Sequence, residues 1–335
     1  MSVTEIRLDL TAPKEQKKDE IIITVDSGKM NTKGYIEAKD GEGIKSVFRT
    51  NVVETTSVLD KACTLIKDDV TYAVADLNYD IREEDHLETR KDTNMHFICT
   101  LKMIADLLKK GGYNTEGECV ALGINVPVRQ YLIKEERQKF VELYLGRHEF
   151  YVGGEFYAVT ITHVEPYFEG LGFLVNNLTR YKDRRFILVE NGGYECTHVE
   201  INNLVPQSGA GSITFGSHKL INDILVKHSN FGMTRDQVLD VLDRNGKTHY
   251  SSEIEDAFNS ATKEHVENIY KRLNSIKRAA LTEYAFTGGA TSIYKPYLEQ
   301  FFPHREFSEE SLYDNVTGAH KKMKAKKLSE KSKLA

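Results

Sequence analysis

Three times in this chain a short run of strand-forming residues stops at a turn of small residues. Ile21-Ile22-Ile23-Thr24-Val25 stops at Asp26-Ser27-Gly28-Lys29-Met30-Asn31, and Phe186-Ile187-Leu188-Val189 at Glu190-Asn191-Gly192-Gly193-Tyr194. Tyr284-Ala285-Phe286 stops at Thr287-Gly288-Gly289-Ala290. Continuous β-branched and aromatic runs read as buried strands. Glycine at the strand end lets backbone N–H groups converge on a phosphate with no Cβ in the way, and it tolerates positive φ. A single strand followed by Gly-Gly is more often a hairpin or a corner than a ligand site. Three of them, the first two rich in hydrogen-bonding groups, point to a phosphate-binding surface.

Between the turns, strand and helix signals alternate, which places the chain in the α/β class. Thr71-Tyr72-Ala73-Val74 and Cys119-Val120-Ala121-Leu122-Gly123 read as strands, with the acidic stretch Glu83-Glu84-Asp85 after the first. Ile98, Leu101, Ile104, Ala105 and Leu108 lie at helical spacing. Gly153-Gly154 between two β-rich runs is a hairpin signal. Two capping boxes, Thr234 with Gln237 and Ser252 with Glu255, predict helix starts. The second of these helices is expected to be long, with an apolar face through Ile254, Phe258, Ala261, Ile269, Leu273 and Ile276.

At 335 residues, 40% hydrophobic and 28% charged, the chain is long enough for two ordinary cores. A formal charge of -5 argues against a protein built as a whole to grip nucleic acid. Cys63, Cys99, Cys119 and Cys196 stand far apart with no Cys-x-x-Cys pair, so they read as isolated thiols rather than a zinc site or a disulfide framework. No apolar run approaches the length of a membrane span, and the charged first twenty residues are unlike a signal peptide, so the expected location is cytoplasmic. Residues 1–19, with alternating Ile6, Leu8 and Leu10, read as a flexible arm or one short edge strand. The final sixteen residues carry seven lysines and one glutamate and read as a basic tail too polar to pack.

The order strand-Asp-x-Gly-x-x-Asn-x-Lys, strand-acid-x-Gly-Gly, strand-x-Gly-Gly-Ala resembles the actin, sugar-kinase and large-chaperone ATPase superfamily, and within it the ParM-type plasmid-segregating actins. Leu122-Gly123-Ile124-Asn125-Val126-Pro127-Val128 and Val164-Glu165-Pro166-Tyr167-Phe168-Glu169-Gly170-Leu171-Gly172 carry the likeness further, over about residues 20 to 320. The resemblance implies two similar α/β domains, about 20–178 and 179–318, closing on a nucleotide, with 319–335 as the tail. It implies a first phosphate loop over Asp26, Ser27, Gly28, Lys29, Met30 and Asn31, a second at Gly192, Gly193 and Tyr194, and an adenosine turn at Gly288, Gly289 and Ala290. The long helix from Ser252 would be the other wall of the base pocket.

By the same likeness Glu165 and Glu190 would be the catalytic acids, and Asp26 would hold the waters of a hydrated Mg2+. The family has Asp at the position of Glu190 and a hydroxyl residue at that of Tyr194. Lys29 reads equally as a phosphate contact or a solvated turn lysine. The implied cofactors are ATP or GTP with Mg2+. The implied activity is a nucleotide-driven filament of this chain that moves plasmid DNA through a ParR-type DNA-binding adaptor, without a membrane and without direct sequence-specific DNA binding. A small-molecule kinase of the same superfamily and a non-plasmid cytoskeletal actin are the alternatives, because fold alone does not choose among them.

Overall fold

The computed structural model describes residues 20–57, 60–76, 90–243 and 251–334. Ile6, Leu8, Leu10 and the Glu83-Glu84-Asp85 stretch lie outside them. The first sheet contains β1 (Ile21–Ser27), β2 (Asn31–Glu37), β3 (Gly43–Arg49), β4 (Val52–Glu54), β5 (Thr64–Lys67), β6 (Val70–Val74), β7 (Glu116–Val126), β8 (Gly146–Val152) and β9 (Glu155–Phe168). Their order across the sheet is β3-β2-β1-β7-β9-β8-β5-β6-β4. The second sheet contains β10 (Arg185–Asn191), β11 (Cys196–Asn202), β12 (Val205–Pro206), β13 (Gly211–Ile213), β14 (Tyr284–Thr287) and β15 (Arg305–Phe307). Its order is β12-β11-β10-β14-β15, with β13 on β11.

The two sheets repeat one plan. β1 turns back antiparallel onto β2 and runs parallel to β7, and β10 turns back onto β11 and runs parallel to β14. Each hairpin turn therefore sits at the C-terminal end of a central parallel strand, where α/β sheets bind ligands. The continuous apolar run of β1 suits this central place, with Ile23 and Val25 buried in the core beneath α1 (Asn94–Lys110). β2 alternates buried and half-buried residues, as a strand near the sheet edge should. The hairpin between β8 and β9 has positive φ at both Gly153 (62°) and Gly154 (86°), the two-residue turn whose twist matches paired strands.

The helices after α1 are α2 (Val128–Leu132), α3 (Lys134–Tyr144), α4 (Leu171–Asn176), α5 (Leu178–Tyr181), α6 (Ser217–Lys227), α7 (Arg235–Asp243), α8 (Ser252–Ile276), α9 (Thr291–Phe301) and α10 (Asp314–Leu334). The capping box at α7 forms in both directions. Gln237 N–H donates to Thr234 Oγ1 at 3.3 Å, and Thr234 N–H donates to Gln237 Oε1 at 2.8 Å. Thr234→Ala should cost about 1 kcal/mol, checked by urea denaturation. The other box does not form as expected: α8 is capped by Ser251, with no side-chain cap bond, and Ile276 at its far end is 47% exposed.

The basic end of the chain is helical, and the first turns of that helix are packed rather than solvated. Val316, Ala319, His320 and Met323 form a buried stripe at helical spacing, and α10 lies against β1 and β7. Three of its lysines are held by acids of the first sheet region: Lys324 by Glu37 at 2.7 Å, Lys326 by Glu165 at 2.9 Å, and Lys327 by Glu20 at 3.7 Å. A lysine-rich run thus covers apolar surface, and part of its charge is paired locally. Ala319 and Met323 also belong to a third cluster that joins Tyr167 of the first sheet to Leu188 and Ala285 of the second. No helix among the described residues is long and apolar enough to cross a membrane. The four cysteines are free, and burial pushes the Cys99 thiol up to about 12.

Candidate functional site

All three glycine turns open onto one cleft between the sheets. Its lining includes Gly28, Lys29, Met30 and Asn31 from the first turn, Gly192, Gly193 and Tyr194 from the second, and Gly289 and Ala290 from the third. Gly28 N–H donates to the Asp26 carbonyl at 3.0 Å, and Thr50 N–H ties down the Met30 carbonyl at 2.9 Å. In the second turn, the carbonyls of Gly192 and Gly193 accept from Ser217 and His218 at 3.2 and 2.7 Å, which seats the turn on the start of α6. The third is locked to β10, because Ala290 N–H donates to the Asn191 carbonyl at 3.0 Å. Gly288 has φ +91°, and an added Cβ would lie 2.6 Å from that same carbonyl oxygen, so glycine is required there on both counts.

The two jaws touch. Met30 packs so closely on Gly193 that a Cβ there would overlap its side chain, and Lys29 Nζ pairs with Glu195 Oε1 across the cleft at 3.2 Å. Lys29 thus borders the cleft and holds a partner on the opposite jaw. Tyr194, where the resemblance leads to a hydroxyl residue, lines the cleft with its ring stacked on His218, centroids 4.4 Å apart. Ser27 and Gly288 are not among the lining residues. Ser27 is buried and its Oγ bonds to His96 Nδ1 at 2.9 Å.

Behind the turns lies a charged network. Asp26 Oδ1 takes Lys91 Nζ at 3.0 Å, and its Oδ2 takes Lys33 Nζ and Asn315 Nδ2, each at 3.3 Å. Lys91 also pairs with Glu169 at 2.6 Å. Burial alone would push the Asp26 carboxyl up, but Lys91 and Lys33 outweigh it and hold the group well below the usual carboxylate range. Burial would likewise lower Lys91, and the charges of Asp26 and Glu169 raise it instead. Glu190 goes the other way. Its own burial, then Glu169 and Asp26, push it up to about 8. Glu190 Oε1 accepts from Asn315 Nδ2 at 2.9 Å, while Oε2 is buried with no hydrogen-bond partner.

Glu165 is not brought to the cleft. On β9 it faces α10, bonded to Lys326 at 2.9 Å and His163 at 3.3 Å. The acid of this segment that lines the cleft is Glu169, one residue past the end of β9 and just before Gly170, whose φ is +89°. The strand runs on through Pro166 to Phe168, and this displaces the strand-end acid from the position the resemblance implied. Glu169-Gly170, an acid ahead of a glycine, comes close to the acid-x-Gly pattern of the first two turns and is visible in the sequence. Lys91 and Asn315 carry no local pattern. The apolar wall differs too: Leu239 of α7 and Ile293 of α9 line the cleft, rather than residues of α8.

Among the described residues no group of three or more His, Cys, Asp or Glu side chains is arranged to hold a metal ion directly. The donors do fit a hydrated cation. Asp26, Glu169 and Glu190 all border the cleft, and the unpartnered Glu190 Oε2 together with the crowding of negative charge favours a cation bound through its waters.

Residues 24–172 match the family model of the actin-like proteins' N-terminal domain. No curated protein sequence matches the chain significantly. Among solved structures, the crystal structure of the actin-like protein Alp7A is similar at 14% identity, covering 94% of this chain and 100% of that one, with a TM-score of 0.73. Bacillus thuringiensis ParM with ATP is 12% identical, covering 93% and 100%, with a TM-score of 0.69. The filament of AlfA from B. subtilis plasmid pLS32 is 15% identical, covering 89% and 97%, with a TM-score of 0.61. With two sheets repeating one plan around a shared cleft, and with residues 24–172 matched to the N-terminal domain of the actin-like proteins, this chain has the actin-like fold.

Proposed function

We infer that the cleft binds ATP or GTP with Mg2+ and that nucleotide binding and hydrolysis drive assembly of this chain into filaments. The convergence of three glycine turns from two sheets on the Asp26–Lys91–Glu169 network carries the reading. Lys33 and Lys91 would stand near the phosphates, and the turns would supply N–H groups to them. Asp26, Glu169 and Glu190 would hold the waters of Mg2+, which when bound neutralises developing phosphate charge. Phosphoanhydride hydrolysis is mainly positioning and charge stabilisation. Glu169 would orient an attacking water, with Glu190 beside it on the same cleft. Leu239, Ala290 and Ile293 would form an apolar bed for the base.

Filaments need only self-complementary surfaces meeting head to tail without closing. AlfA, a plasmid-derived relative in fold, is solved as one. By this reading the protein is cytoplasmic and moves plasmid DNA through a DNA-binding adaptor of the ParR type. The test is light scattering of the purified chain with ATP, GTP or ADP over a broad concentration range. A triphosphate-dependent rise is expected, and its absence at every concentration would count against filaments. In the same preparations, Glu165→Ala should leave phosphate release unchanged, whereas Glu169→Gln should lower it. The reverse pattern would return the catalytic role to Glu165.

A further inference from the structure

The first turn of α10 is bonded to the ends of all three strands that carry the glycine turns. Asn315 is 6% exposed, and its Oδ1 accepts from Gly170 N–H at 2.9 Å. A backbone N–H only donates, so this bond decides which end of the carboxamide is oxygen and turns Nδ2 toward the acids. The two Nδ2 hydrogens are then divided between Asp26 at the end of β1 and Glu190 at the end of β10, at 3.3 and 2.9 Å. One residue earlier, Asp314 Oδ2 accepts from Thr287 Oγ1, the last residue of β14, at 2.7 Å. There is little slack behind the turn, because an added Cβ at Gly318 would lie 2.6 Å from the Gly172 carbonyl carbon. Thr24 Oγ1 of β1 also donates to the Val316 carbonyl at 2.8 Å.

We propose that Asn315 is the positioning residue of the cleft: its carboxamide sets the separation of Asp26 and Glu190, and it transmits a change in that separation to the C-terminal helix. The second half of this statement rests on the nucleotide reading of the cleft, while the first is a property of the ligand-free chain. One carboxamide with bonds to three elements keeps all of them only within the narrow range of hydrogen-bond lengths. When a ligand changes the gap between the sheets, either a bond breaks or the helix shifts its seat. If Asn315 served only to satisfy Gly170 N–H, then Asp would replace it, since Asp has the same shape and keeps that acceptor while losing both donors.

Hydrogen exchange of the full chain, read by mass spectrometry, separates these roles. Without ligand, Asn315→Asp should speed exchange about tenfold or more in peptides covering the first turn, the second turn and residues 312–320 together, as expected for lost bonds to Asp26 and Glu190. Thr317→Val, whose hydroxyl bonds Asn176 and the adjoining backbone of Tyr313 and Asp314, should affect 312–320 alone. An Asn315→Asp effect confined to 312–320 overturns the bridge. Should that variant fail to fold, Asn315→Ser removes the amide without adding charge and is read the same way. With Mg-ATP or Mg-GTP, the wild type should gain protection at the turns and at 312–320, and Asn315→Asp should lose only the helix response. A helix response like that of the wild type overturns the coupling. Nucleotide that protects none of the wild-type turns overturns the reading of the cleft instead, and the ligand-free comparison still decides the bridge.

Discussion

Lys91→Met should destabilise the ligand-free protein by about 3–5 kcal/mol, read from urea denaturation. The Lys91 side chain is only 6% exposed, and its ammonium lies 3.0 Å from Asp26 Oδ1 and 2.6 Å from Glu169 Oε1. Methionine keeps most of the length and apolar volume, so the loss isolates the charge. A buried ion pair is by itself weak evidence of stability, but removing one partner strands the other without compensation. Asp26 would keep Lys33 and Asn315, each at 3.3 Å, so the stranded group is chiefly Glu169. Adding Glu169→Gln to Lys91→Met should therefore recover most of the loss. No recovery would mean that the loss arose from packing rather than charge.

Glu190→Gln should stabilise the ligand-free protein at pH 9 by on the order of 2 kcal/mol and far less at pH 5. Glutamine has the shape of a protonated glutamate and keeps an acceptor for Asn315. In the unfolded chain Glu190 ionises near its ordinary value of 4.5, whereas burial, Glu169 and Asp26 push it up to about 8 in the fold. Between those values the folded protein holds a proton that the unfolded chain has released, so stability falls as pH rises across that window and levels off above it. Each unit of difference corresponds to about 1.4 kcal/mol. Glu190 borders an open cleft where solvent screens part of the cost, so the gain expected here is less than the full product. Thermal midpoints of the two proteins at pH 5 and pH 9 check this, and an equal gain at both would place the effect in packing.

These two substitutions also divide what was legible in the chain from what was not. Glu190 could be singled out from the residues, because it ends a β-branched run just before Asn191-Gly192-Gly193. Lys91 could not, since a lysine between Arg90 and Asp92 looks like any solvated segment until β1 and β9 bring Asp26 and Glu169 to it. Glu165 shows the same limit from the other side. Its segment was recognisable, but whether the acid at 165 or at 169 faces the cleft depends on where β9 ends, and strand ends are poorly marked in sequence. At the C-terminus seven lysines concealed the short stripe of Val316, Ala319, His320 and Met323, whose partners lie some three hundred residues away in β1 and its neighbours.

Local rules therefore determined the strands, the three glycine turns and the α/β class, because periodicity and backbone freedom act over a few residues. The pairing of the turns into one cleft, the choice of Glu169 over Glu165, and the seating of Asn315 between Asp26 and Glu190 were decided only in the tertiary structure. Each depends on charges and amides separated by tens to hundreds of residues, and a buried charge acquires its meaning from the partner that folding places beside it.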